Sequence, residues 1–181
     1  MEFAKWFTEN EDAAMLPDAR QFSYIGCVLD QMSQNHLEGV VKKWAMEQMG
    51  HGIPPDWMWR AHHMTVLFRQ GGLINQDLET YRAFFGENVK LHVTGLAADD
   101  NCIAVVVKPE PSFPIQNKVP HITVAHSKSV SPVYSNTLLM DRNNIHPVNS
   151  VELSSVFAAV KKDQHSIWPE KSFPLASNSK I

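Results

Sequence analysis

The sequence predicts an α+β fold in which two small antiparallel sheets face each other across a cleft, with helices on the outside. Three observations lead there. Strand-like and helix-like apolar patterns follow one another in the coarse order β-α-β-α-β-β-β-α-β. Two similar stretches, His63-Met64-Thr65-Val66 and His121-Ile122-Thr123-Val124, each run into a strand-like block, and they fall in different halves of the chain. A hydrophobic content of 44% over 181 residues is enough for one sizeable core, so a single domain is expected.

Residues 1–21 are polar, mixed in sign and weakly periodic up to Pro17, and read as an N-terminal extension. Its Phe3 and Trp6 suit either a lid or a packed terminal helix. The domain proper runs over 22–161. Phe22 to Leu29 is a first strand, and Asp30 and Ser33 are candidate caps for a following helix. In that helix Leu37, Val40, Val41, Trp44, Ala45 and Met49 recur at helical spacing. The Gly- and Pro-rich stretch from Gly50 to Asp56 is a loop leading into the first motif strand, which Gly71-Gly72 closes. Asn75 to Phe85 reads as a second helix. Val89 to Ala97 and Cys102 to Val107 read as strands joined by the Asp99-Asp100-Asn101 turn. A loop from Lys108 to Lys118 precedes the second motif strand. Ser131 to Met140 suggests a short helix and Val148 to Val160 a final strand. From 162 to 181 the chain is polar and reads as a C-terminal tail.

Composition narrows the function classes. There is no run of about 18 apolar residues, and the first residues lack the basic-then-apolar order of a secretory signal, so a cytoplasmic protein with no membrane partner is expected. Cys27 and Cys102 both sit in apolar strand-like blocks, which suits buried thiols rather than a disulfide framework. A net charge of −3 provides no broad basic field, which argues against long duplex nucleic acid and for a nucleotide or short RNA. Composition leaves the oligomeric state open.

On a strand, residues i and i+2 share a face, so His63 projects with Thr65 and His121 with Thr123. Two facing imidazoles suit general acid/base catalysis at one phosphodiester, since an unperturbed histidine titrates near working pH. Threonine hydroxyls beside them suit phosphate oxygens. The bland alternative, two half-buried strand histidines, weakens once the motif is found twice. A third triplet, His92-Val93-Thr94, is discounted because it lies inside the intervening hairpin.

With these motifs in place the chain resembles the 2H phosphoesterase superfamily over roughly residues 22–160. The superfamily includes LigT-like RNA 2′,3′-cyclic phosphodiesterases, the cyclic phosphodiesterase domain of fungal tRNA ligases and viral 2′,5′-phosphodiesterases. Pro120 before His121 and the Thr94-Gly95-Leu96 stretch are also similar to the family pattern. The interval between the motifs is on the short side, and the first twenty residues have no family counterpart. The resemblance implies a bilobal fold and a phosphodiesterase that hydrolyses a nucleotide or RNA phosphodiester involving a ribose 2′ position: a 2′,3′-cyclic phosphate, a 2′,5′-oligoadenylate or a cyclic oligonucleotide signal. His63, Thr65, His121 and Thr123 would be catalytic, with neither metal nor other cofactor needed. The spacing of the histidines matches no recognised metal-ligand pattern. The alternative is a non-catalytic RNA or nucleotide binding module of the same fold.

Around the motifs, Arg60, His126 and Lys128 are candidate phosphate contacts. Tyr24 and Trp59 are the favoured base platforms among the aromatics that also include Trp57, Phe68 and Phe113. His62, adjacent to His63, is expected to face the opposite way.

Overall fold

The computed structural model describes residues 15–164 and 166–170. The expectations about Phe3, Trp6 and the end of the tail lie outside them. The described strands are β1 (Phe22–Leu29), β2 (Met58–Trp59), β3 (His63–Phe68), β4 (Asn88–Ala98), β5 (Cys102–Glu110), β6 (His121–His126), β7 (Ile145–Lys161) and β8 (Ile167–Trp168). The helices are α1 (Gln31–Gln48), α2 (Asn75–Thr80) and α3 (Tyr134–Leu138).

The molecule is mostly antiparallel sheet with few helices, in the α+β class. The expected separation into two sheets is not what the hydrogen bonding shows. All eight strands form one sheet in the order β2-β6-β5-β4-β7-β1-β3, with β8 added on β7. The physical reason is the length of β7. Its first part, with Ile145 to Val156, pairs with β4, while its last part, Ser155 to Lys161, pairs with β1, so one strand ties the two halves together. The close packing at Gly95 assists this pairing. A Cβ there would sit 2.6 Å from Ile145 Cγ2, and the register of β4 shifts on both its neighbours at that point.

The sheet is bent so that its two ends come together, and the chain itself imposes this. β2 pairs with β6 at one end and β3 pairs with β1 at the other, yet only Arg60, Ala61 and His62 separate β2 from β3. That link reaches at most about 15 Å fully stretched. Main-chain bonds from Arg60 N (2.7 Å) and Ala61 N (3.2 Å) to Val124 O, and from Gln116 N to Val66 O (2.8 Å), clip the ends together.

Inside the bend one core joins both halves: Ile25, Met64, Val66, Leu91, Ile103, Ile122, Val124 and Phe157 are fully buried together. α1 closes it with Leu37 and Val41. This helix starts where expected, its Asp30 carboxylate accepting from Ser33 N at 2.7 Å. The second helix is shorter than the apolar spacing predicts. α2 ends at Thr80, and a 3-10 turn over Arg82–Phe84 follows Tyr81, whose ring enters the core and whose hydroxyl donates to Pro114 O at 3.2 Å. α3 packs Leu138 and Leu139 on a separate cluster with Ala97, Cys102 and Ala104. Cys27 and Cys102 are buried free thiols, both pushed up to about 12 chiefly by desolvation.

The segment assigned to the tail returns to the fold. Ile167 is buried, β8 pairs with Ala159 and Val160, and Trp168 meets Phe85 edge-on at 4.8 Å. Two residues are too few to show strand periodicity, so the polar flanks hid them. Residues 15–21, assigned to the extension, enter β1 through a 3-10 turn capped by Asp18, with Ala19 fully buried.

Candidate active site

The seam where the sheet ends meet is a cleft of about 690 Å³. His63 and Thr65 line it from β3, His121 and Thr123 from β6. Their strand neighbours Met64, Val66, Ile122 and Val124 are buried in the core, as the alternation of a strand requires. Close backbone packing keeps β1 against β3 beneath the site: a Cβ on Gly26 would meet Met64 O at 2.7 Å.

The two imidazoles are held differently. His121 Nδ1 lies 2.7 Å from Val119 O. A carbonyl only accepts, so Nδ1 carries the hydrogen and Nε2 faces the other way. There Ser135 Oγ sits 2.8 Å from Nε2, and also 2.8 Å from both Thr123 Oγ1 and Pro132 O. His63 Nδ1 instead meets His62 Nδ1 at 2.7 Å, so the two rings share one hydrogen. Tyr24 stacks on the His63 ring, with centroids 4.5 Å apart and planes 27° apart.

Both histidines are shifted toward the neutral form. His63 lies well below the ordinary imidazole value, first because its ring is desolvated, then because His62, His121 and Arg60 place positive charge nearby. Part of His63 still reaches the cleft surface, so the desolvation comes from close packing by Tyr24 and His62 rather than full enclosure. His121 is lowered by burial, with the Val119 carbonyl acting in the opposite direction.

Among the described residues Arg60 is the one fixed cation lining the cleft, and no carboxylate is among the lining side chains. Its Nε donates to His126 Nε2 at 3.4 Å, and His126 Nδ1 in turn donates to Ser127 O at 2.8 Å. Among the described residues no group of three or more His, Cys, Asp and Glu side chains is placed to hold a metal ion.

Of the residues singled out from sequence, His63, Thr65, His121, Thr123, Arg60 and Tyr24 come together in the cleft. Tyr24, however, is only 6% exposed with a face covered by His63, which leaves no platform for a base. His126 does not line the cleft. It is buried and supports Arg60 from behind. Lys128 is exposed in the turn after β6, away from the site, because the strand has ended two residues earlier. Trp59 lies in an adjoining hollow. His92 is outside the cleft, bonded to Glu110 at 3.0 Å.

Two residues escaped the sequence reading. His62 does line the cleft, since it precedes the first strand residue and strand alternation does not govern it. Ser135 comes from α3, and no pattern around it signalled a role.

The sheet thus brings the paired His-x-Thr strands to one shared cleft. The sequence profile of the fungal tRNA ligase phosphodiesterase domain matches residues 58–166. The chain belongs to that family, which is of the 2H phosphoesterase, LigT-like kind. The family supports phosphodiesterase activity in general and suggests an RNA substrate. No curated protein sequence matches the chain significantly.

Proposed function

We propose that the cleft hydrolyses a 2′,3′-cyclic phosphate at an RNA end, without a metal ion, by two-histidine acid/base catalysis. The observation that carries this is the meeting of His63, Thr65, His121 and Thr123 around one cavity that also holds Arg60 and, among the described residues, no carboxylate.

His63 is the base. Desolvation, with the coulombic influence of His62, His121 and Arg60, disfavours its charged form, and Tyr24 and His62 fix its ring. It takes a proton from water as the water oxygen bonds to phosphorus. His121 is the acid. Its Nδ1–H bond to Val119 stabilises the charged ring and fixes Nε2 toward the cleft. As the bond from phosphorus to one ribose oxygen breaks, Nε2 gives that oxygen its proton and a phosphomonoester remains. Thr65, Thr123 and Arg60 hold the non-bridging oxygens, worth most in a desolvated site. Ser135 Oγ occupies a phosphate oxygen's place between His121 and Thr123 in the free protein. Bound substrate displaces it.

The test is turnover of 2′,3′-cyclic nucleotide, 2′,5′-oligoadenylate and cyclic dinucleotide after chelator treatment, with products resolved chromatographically. Cleavage of the 2′,3′-cyclic substrate, lost by about 10²–10⁴-fold in both His63→Ala and His121→Ala, is expected. Full activity in both variants, or cleavage of another substrate class alone, overturns the proposal.

A further inference from the structure

Beside the catalytic cleft is a second hollow of about 420 Å³, and Tyr24, Arg60, His62 and Gln164 line both. Its far wall is built differently. The catalytic cleft presents imidazoles and hydroxyls, whereas this hollow presents the amides Gln31, Gln34 and Asn35 from the first turns of α1, together with Trp59.

We propose that this hollow is a second nucleoside subsite, which takes the base of the nucleotide preceding the one that carries the reacting phosphate. The inference rests on the phosphodiesterase reading above and names the substrate more narrowly, as an oligoribonucleotide end rather than a mononucleotide. Three features carry it. Trp59 is 37% exposed on the hollow, giving an indole face of the kind on which bases stack. Lys42 Nζ lies over that ring, 5.8 Å from its centroid, and forms an ion pair with Glu38, which itself lines the hollow, so a cation–π contact holds the indole in place.

The amides keep hydrogen-bonding capacity to spare. Gln31 Nε2 donates to Asn35 Oδ1 at 2.9 Å and Gln34 Nε2 donates to Leu29 O at 3.0 Å. That leaves the Asn35 amide hydrogens and the Gln34 oxygen for a base edge, which offers both donors and acceptors. Gln31 Oε1 is the one buried side-chain oxygen or nitrogen among the described residues with no hydrogen-bond partner.

Arg60 completes the arrangement. It stands between the two cavities with only Nε committed, to His126, so its remaining hydrogens are available to a phosphate linking two nucleosides. An amide-lined hollow whose Glu38 carboxylate is paired with Lys42, joined to the reacting site through Arg60, is the shape a dinucleotide end requires.

The experiment compares kcat/KM for a mononucleotide 2′,3′-cyclic phosphate with that for a dinucleotide ending in the same group, in wild type, Trp59→Ala and Asn35→Ala. The dinucleotide is expected to be preferred at least about tenfold by wild type, and that ratio to fall about tenfold in Trp59→Ala. The ratio in Asn35→Ala, an exposed helix position that tolerates truncation, is expected to fall by a few-fold. Equal use of both substrates by wild type overturns the subsite and leaves the phosphodiesterase reading standing.

If neither substrate is turned over, that reading fails, and calorimetric binding of the dinucleotide 3′-monophosphate still decides the subsite. Tighter binding than the mononucleotide, weakened in Trp59→Ala, supports it. Equal binding by wild type and both variants overturns it.

Discussion

The two motif strands carry the same His-x-Thr pattern and yet hold their histidines by opposite means. In the second motif a main-chain carbonyl fixes the tautomer of His121 and favours its charged form. In the first, another titratable ring, His62, shares a hydrogen with His63, and nearby positive charge disfavours its protonation. Equivalent sequences therefore give non-equivalent electrostatics, and on the proposed mechanism the difference divides acid from base. Pattern matching alone leaves the two roles interchangeable.

The largest effect expected comes from asking each histidine for one role. On a 2′,3′-cyclic end, His63→Gln and His121→Gln both lose about 10²–10⁴-fold in kcat. On a nucleotide phosphodiester with a nitrophenyl leaving group, which needs no proton, His121→Gln recovers to within about tenfold of wild type while His63→Gln does not. Recovery in His63→Gln instead would exchange the roles.

A smaller effect is expected at His62. His62→Ala removes the partner that aims His63 and one of the charges that lower it, so kcat/KM falls about tenfold. Because the base must be neutral, the acid limb of the pH profile follows the His63 pKa, and it moves to higher pH when His62 is removed. In wild type both groups sit below 6.5, which places the maximum on the acid side of that value. An unmoved acid limb in His62→Ala would show that His62 does not tune the base.

Why His62 was not legible in the sequence while His63 was follows from where periodicity starts. Period-two alternation assigned His63, Thr65, His121 and Thr123 to one face and their neighbours to the core, and a strand enforces that assignment. His62 lies one residue before β3 in a bend, where no period applies. Ser135 reaches His121 across the loop between β6 and α3, and its contact depends on tertiary placement of a five-residue helix. The single bent sheet was hidden for a related reason. Residues 145–150 of β7 are partly or fully exposed and mix His146, Asn149 and Ser150 with a proline, Pro147, so they carry little strand signal, and pairing with β4 makes them a strand. The sequence places Trp59 beside the motif strand as a candidate base platform, but the cavity that it lines has no signal in the sequence.

Stability offers a check that needs no substrate. Unfolded histidines titrate near 6.5, and the folded values of His63 and His121 are depressed, most strongly at His63. Above about pH 6.5 neither state binds these protons and the stability is fully present. Below it the unfolded chain protonates first, so stability falls with pH until the folded values are reached. Each histidine contributes at most about 1.4 kcal/mol per pH unit. Denaturant unfolding between pH 7 and pH 5 is expected to show a shallower decline in His63→Leu than in wild type, with a smaller change in His121→Leu. Equal slopes in all three would mean that desolvation does not separate the motifs.

The smallest effect belongs to Ser135. Its hydroxyl is held by His121 Nε2, Thr123 Oγ1 and Pro132 O, each at 2.8 Å, so it competes for two groups that, on the proposed mechanism, contact the substrate's phosphate. His121 keeps its orientation without it, since Nδ1 is bound to Val119. Ser135→Ala is therefore expected to lower KM about threefold, the worth of part of one hydrogen bond, with kcat little changed. A fall in kcat beyond tenfold at unchanged KM would give a different result: the hydroxyl would then be carrying the His121 proton to the leaving oxygen rather than holding its place.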